Sequence, residues 1–186
     1  MQQILIFAQK EQPMQEERDV DIKDLWKEAF GDDDEFISSF TEGLKGRYRR
    51  YTVIEKNRLL SILHVLSFEM DGFRIGYIYG VATLSEARKR GYASQLIKKA
   101  IDDCAKMGFD AVVTIPANEE LRKFYNRFGF EGCWQAIFIS SQDFDFGTGE
   151  KEKDLLCALP LNSNMVLPPP HSSLTLHLSD YYEKYK

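Results

Sequence analysis

The chain has 186 residues, 44% of them apolar and 13% aromatic, enough for one domain with a sizeable core or one domain and a tail. Its net charge of -5 excludes bulk nucleic-acid binding, which needs a broadly positive surface, and no apolar run approaches membrane-span length. The three cysteines, Cys104, Cys133 and Cys157, lack metal-ligand spacing and point to reduced thiols in a cytoplasmic protein.

Residues 4–8 read as a first strand, and the polar stretch 9–17 as loop. Residues 21–30 form a helix by spacing, with Ile22, Leu25, Trp26 and Ala29 on one face, and Gly31 ends it. Asp32, Asp33 and Asp34 open the next helix, whose apolar face is Phe36, Ile37, Phe40 and Leu44. A short strand covers 51–55, and an apolar stretch runs over 59–70. Asp71-Gly72 is a hairpin signal, and the return strand is 73–83. A two-residue turn pairs Met70 with Phe73 and places His64 opposite Tyr79.

Residues 91–107 make an amphipathic helix with Ala93, Leu96, Ile97, Ala100, Ile101 and Cys104 inward. Lys98, Lys99, Asp102, Asp103 and Lys106 take its wet side, and Gly108 closes it. A buried strand follows at 111–115. Asn118 caps a helix that presents Leu121, Phe124, Tyr125 and Phe128, and Gly129 ends it. Residues 133–140 and 154–161 read as a strand pair joined by a long acidic loop. From Asn162 the character changes: Pro168, Pro169 and Pro170 force an extended segment, and alternating Leu174, Leu176 and Leu178 suggest one more strand. The expected division is therefore a domain over 1–161 and a tail over 162–186.

The junction between the strand 73–83 and the helix after it carries the chemistry. Arg88, Lys89 and Arg90 are a local cation cluster in an acidic chain, and Gly91 and Ala93 let an anion approach the main chain. Helix-start N–H groups and the helix dipole favour negative charge at the same place. The simplest reading is a pyrophosphate site.

Arg88-Lys89-Arg90-Gly91-Tyr92-Ala93 resembles the cofactor motif of the GNAT superfamily of acetyl-CoA-dependent N-acetyltransferases: Arg or Gln, two residues, Gly, one residue, then Gly or Ala. Residues 115–130, with the ending Tyr125-x-x-x-Gly129-Phe130, look like the family's later motif, in the right order and at a fitting separation. The resemblance covers about 20–161. It departs from the family at Ser85, where many members carry Pro, and in the absence of Asp or Glu from the strand 73–83.

The resemblance implies an α/β (α+β) GNAT fold, a mixed and mainly antiparallel sheet with a splayed central strand pair flanked by helices. It implies acetyl transfer from acetyl-CoA to a primary amine of a small molecule, peptide or protein; composition and spacing add the expectation of no metal, nucleic acid or membrane. Main-chain groups of Val81 and Thr83 would pair with the pantetheine arm. Those of Arg88, Lys89, Arg90, Gly91, Tyr92, Ala93 and Ser94 would hold the pyrophosphate. Asn118 would touch the pantetheine, and Tyr125 would sit near the sulfur as the acid. His64 is the candidate base by its register. A non-catalytic acyl-CoA sensor is the alternative, and the tail strand leaves room for a homodimer.

Overall fold

The hairpin signal folds as its residues require. Asp71 and Gly72 have φ of +50° and +82°, the two left-handed positions of a tight two-residue turn. In the computed structural model, which describes residues 5–9, 16–44, 46–140, 144, 146 and 154–179, this turn joins β3 (Arg58–Met70) to β4 (Phe73–Thr83). Before it come β1 (Leu5–Gln9), α1 (Glu16–Phe30), α2 (Asp34–Gly43) and β2 (Tyr48–Glu55). After it come a 3₁₀ turn (Ser85–Ala87), α3 (Tyr92–Lys106), β5 (Ala111–Thr114) and α4 (Glu119–Asn126). Three strands complete the fold: β6 (Glu131–Ile139), β7 (Leu155–Pro160) and β8 (Ser173–Leu178).

The strand order is β1-β2-β3-β4-β5-β7-β6-β8, and β8 also pairs with β3. The β4–β5 and β6–β8 pairs are parallel, whereas β1–β2, β5–β7, β6–β7 and β3–β8 are antiparallel. This is the mixed, mainly antiparallel sheet with helices that the sequence implies.

The elements form two compact units. One holds β1, α1, α2, β2, β3 as far as Val65, β4 from Tyr79 and α3 as far as Ala100. Its core is Trp26, Ile37, Phe40, Tyr51, Ile62 and Leu63, all fully buried. Each such side chain contributes about 1.5–3 kcal/mol by leaving water. Within this unit β4 carries one residue more than the turn register allows. The register set at Met70 and Phe73 would place Ser61 opposite Ala82. Instead the Ser61 and Thr83 hydroxyls meet at 2.8 Å, and the Leu84 N–H donates to Leu60 O. Gly80, with φ +59°, absorbs the extra residue as a bulge.

The second unit holds the rest of β3 and β4, α3 from Ile101, and β5, α4, β6, β7 and β8. Its strand pairings close a circuit, β3-β4-β5-β7-β6-β8 and back to β3, where Phe68 faces Leu178. An aromatic cluster of Phe68, Tyr77, Phe138 and Phe146 packs together, with ring centroids 5.3–5.9 Å apart. The Tyr77 hydroxyl donates to Phe146 O at 2.8 Å.

Several sequence expectations shift in detail. α1 starts at Glu16, inside the stretch expected to be loop. Asp103 is buried rather than on the wet side of α3, and Leu121 on α4 is exposed. The long loop before β7 falls mostly outside the described residues.

Candidate active site

The pyrophosphate reading rests on how the chain enters α3. Leu84 leads into the 3₁₀ turn, and then Lys89 (φ +63°) and Gly91 (φ +84°) both take left-handed backbone. A side chain at Gly91 would meet nothing within 4 Å, so the main chain there faces open space. The Gly91 carbonyl accepts from the Gln95 N–H at 3.0 Å. Gly91 is thus the cap, and the N–H groups of Tyr92, Ala93 and Ser94 begin a helix that supplies them no acceptor. Such a helix start favours an anion.

The flanking cations are held in place. Arg88 Nε donates to Thr83 O at 3.1 Å. Arg90 forks onto Glu55 at 3.0 and 3.3 Å and lies 4.9 Å from the centroid of the Tyr92 ring. Tyr92 is buried beneath it. The approach to the turn is clamped as well. Glu28 of α1 accepts the Ser85 N–H at 2.6 Å, and Arg58 pairs with Glu86. The Ser85 N–H, helped by Arg88 and Arg58, holds the Glu28 carboxyl below its ordinary pKa.

In the same unit, Val81 and Thr83 stand on β4 just past the Gly80 bulge. His64 stands on β3 in the same unit, and the Tyr79 main chain weakly opposes the lowering of its pKa. The imidazole is fully buried. Trp26, Phe40 and Tyr48 surround it at ring-centroid distances of 5.4, 5.0 and 5.1 Å. Its Nε2 accepts from Arg50 Nε at 3.2 Å, and Arg50 also donates to the Tyr48 hydroxyl at 2.9 Å. Nδ1 makes no hydrogen bond of normal length. Burial, and then the Arg50 charge, push the His64 pKa well below 6.5, so the ring is neutral at pH 7. The acidic run before α2 is occupied structurally. Asp32 accepts from the Trp26 indole at 2.7 Å, Asp33 caps α2 through the Phe36 N–H, and Asp34 pairs with Lys27.

The other unit carries Asn118 and Tyr125, both placed by α4. Asn118 is the N-cap: its side chain accepts the Leu121 N–H at 2.9 Å, and the residue is exposed. Tyr125 sits at the far end of the same helix, 6% exposed. Burial pushes its hydroxyl up to about 12, against a hydrogen bond with the Thr114 side chain that lowers it. The β4–β5 ladder registers Ile75 with Ala111, Gly76 with Val112 and Tyr77 with Val113. β5 then ends at Thr114, while β4 continues to Thr83. Among the described residues no group of three or more His, Cys, Asp or Glu is placed to hold a metal ion. None of their helices is long and apolar enough to cross a membrane.

A family profile described as an acetyltransferase (GNAT) domain matches residues 11–133, about two thirds of the chain. The chain belongs to the GNAT acetyltransferase family. Solved structures of the same fold accompany this match. A GNAT family N-acetyltransferase from Escherichia coli in complex with CoA has 14% identity and a TM-score of 0.67, covering 100% of this chain and 95% of that one. A GNAT family acetyltransferase from Brucella melitensis in complex with acetyl-CoA has 13% identity and a TM-score of 0.61, with 91% and 94% covered. The ribosomal-protein-S18-alanine N-acetyltransferase of Escherichia coli has 12% identity and a TM-score of 0.61, with 89% and 100% covered. No curated protein matches by sequence. Membership in this family makes the chain an acyl-transferring enzyme.

Three residues that shape this GNAT chain's site had no role in the sequence reading. Glu28 gives no local signal, because its partner is a main-chain N–H 57 positions away. Arg50 lies in a strand whose polar residues look like ordinary solvent-facing ones. Thr114 did leave a trace, as the lone hydroxyl in the buried strand Ala-Val-Val-Thr.

Proposed function

We propose that this GNAT chain moves an acetyl group from acetyl-CoA to a primary amine by direct attack of the amine on the thioester. The observation that carries the reading is the start of α3: an open glycine cap, three helix-start N–H groups and flanking arginines. Arg88, Lys89, Arg90, Gly91, Tyr92, Ala93 and Ser94 are assigned to the pyrophosphate. Val81 and Thr83 pair with the pantetheine arm in the manner of an added strand. Asn118 is assigned to the pantetheine as well.

The chemistry asks three things of the chain. Negative charge develops on the thioester oxygen, and the Val81 N–H is the assigned donor. A bulge takes residues out of the ladder, and Gly80 beside Val81 supports that assignment. The leaving sulfur needs a proton, and the Tyr125 hydroxyl supplies it. The amine must be neutral, which for a lysine-like group costs roughly 4 kcal/mol at pH 7. His64 is the assigned acceptor of that proton. Its neutral ring has a lone pair to offer, burial and the Arg50 charge oppose the charge it would gain, and Arg50 must release Nε2 for the proton to be taken.

The test is calorimetric titration with acetyl-CoA, together with thiol release measured against a panel of a polyamine, an amino sugar, a peptide N-terminus and a lysine peptide. Arg88→Glu should raise Kd by up to about thirtyfold, since an exposed ionic contact contributes up to ~1 kcal/mol and reversal counts it twice. An unchanged Kd counts against the pyrophosphate assignment. Thiol release that no amine stimulates counts against amine acetylation.

A further inference from the structure

In the first unit, β2 carries Tyr48 and Arg50 two residues apart, on one face of the strand. Arg50 bridges two partners. Its Nε donates to His64 Nε2 at 3.2 Å, and its Nη2 donates to the Tyr48 hydroxyl at 2.9 Å. A guanidinium has only donors and stays protonated in proteins, so His64 Nε2 must offer it a lone pair. A neutral imidazole carries one hydrogen, and here that hydrogen sits on Nδ1. Nδ1 is buried, makes no hydrogen bond of normal length, and lies 3.4 Å from the point where a side chain at Gly80 would begin. A buried donor left unpaired is costly. Moving the hydrogen to Nε2 gives no relief, because N–H would then face N–H across 3.2 Å and Nδ1 would be a bare buried acceptor. The groups set against the ring are Trp26 of α1, Phe40 of α2, Tyr48 and Arg50 of β2, and the Tyr79–Gly80 main chain of β4. Of these, Arg50 alone is charged at neutral pH.

Given the reading of His64 as the base, on which this rests, we infer that Arg50 is its positioning residue. It locks the imidazole with the hydrogen on Nδ1 and the lone pair on Nε2, and it covers that lone pair until the acceptor amine arrives. In the transfer the guanidinium leaves Nε2, an N–H bond of the ammonium breaks, and an N–H bond forms at Nε2. The ring becomes an imidazolium with a hydrogen on each nitrogen, and the amine, now neutral, attacks the thioester. After the product leaves, the proton passes to solvent and Arg50 closes over the bare nitrogen again. Arg50 is half-buried, so its guanidinium has a path toward water. Without Arg50 nothing keeps the hydrogen off Nε2, and a ring with its hydrogen there has no lone pair to present. The same guanidinium, after burial, keeps the ring uncharged before the amine arrives.

The experiment is nitrogen-15 NMR of the imidazoles in the full chain, for wild type, Arg50→Met and His64→Gln, across the pH range in which an ordinary histidine titrates. The chain has three histidines, of which His171 and His177 are exposed, and the signals lost in His64→Gln assign His64. In wild type, Nδ1 should show the shift of a nitrogen that carries hydrogen and Nε2 that of a bare one, unchanged while the exposed pair titrates. Arg50→Met keeps a long side chain and removes donors and charge. In it the fixed pattern should be lost, and His64 should take up a proton at higher pH than in wild type. Thiol release from acetyl-CoA in the presence of amine should lose about a hundredfold in kcat in His64→Gln, the size of a general-base contribution. A wild-type hydrogen on Nε2 overturns the inference, and this outcome needs no variant to fold. So does the wild-type pattern in Arg50→Met. Full turnover in His64→Gln overturns the reading of His64 as the base, and with it the use assigned to Arg50, even where the hydrogen is found fixed on Nδ1.

Discussion

At the scale of single residues, His64 shows how one packing decision sets a pH response. Its imidazole sits among Trp26, Phe40 and Tyr48 with a guanidinium on Nε2, so the folded chain resists protonating it. The unfolded chain takes up that proton near pH 6.5. The folded pKa is depressed, so the stabilisation is complete above pH 6.5 and is lost as pH falls below it. The maximal slope for one proton is about 1.4 kcal/mol per pH unit. Urea midpoints measured from pH 7.5 to 5.0 should therefore fall in wild type and fall less in His64→Gln. Equal slopes in the two chains would assign the acid sensitivity elsewhere. For His64, the turn from which its place on β3 is counted was legible, at Asp71 and Gly72. Its partners were not: Trp26, Phe40 and Arg50 arrive from α1, α2 and β2, and no local pattern in the chain announces that meeting.

At the scale of elements, caps and turns were read well because their signals are local. Asn118 caps the helix assigned to it, Asp33 in the acidic run expected to open α2 caps that helix, and Gly31, Gly108 and Gly129 take positive φ where the helices were expected to end. The start of α1 and the 3₁₀ turn at Ser85–Ala87 were missed, since both begin in polar sequence without apolar periodicity. The bulge in β4 was not read, yet it decides how the strand meets the assigned oxyanion donor. Gly80 occupies it with φ +59°, and a Cβ there would come within 2.9 Å of Trp26 Cη2 and 3.4 Å of His64 Nδ1. Backbone strain and overpacking act together at this position. Gly80→Ala should cost about 2–4 kcal/mol in denaturant unfolding and should lower kcat by more than it changes Kd for acetyl-CoA. A variant with wild-type stability and turnover would show that the bulge needs no glycine.

At the scale of the whole molecule, the sequence announced a final strand but not its neighbours. Alternation of Leu174, Leu176 and Leu178 marks β8. Which strands it joins depends on the meeting of segments far apart in the chain. β8 lies parallel to β6, with Ala136 facing Leu174 and Phe138 facing Leu176, and touches β3 through Phe68 and Glu69. The segment leading to it is tied down as well: the Trp134 indole donates to Pro168 O, and the His171 N–H donates to Cys133 O. Leu174, Leu176 and Met165 are buried. A strand held this way completes the circuit of pairings in its unit, and its loss would bare the edges of both β6 and β3. Burying two leucines and a methionine is worth about 1.5–3 kcal/mol each, a large part of the stability of a chain this size. Deleting residues 162–186 should therefore abolish or sharply lower the cooperative unfolding transition and promote association through the opened edges, read by denaturant titration and by mass in solution. An unchanged midpoint with unchanged mass would mean that β6 and β3 do without their C-terminal partner.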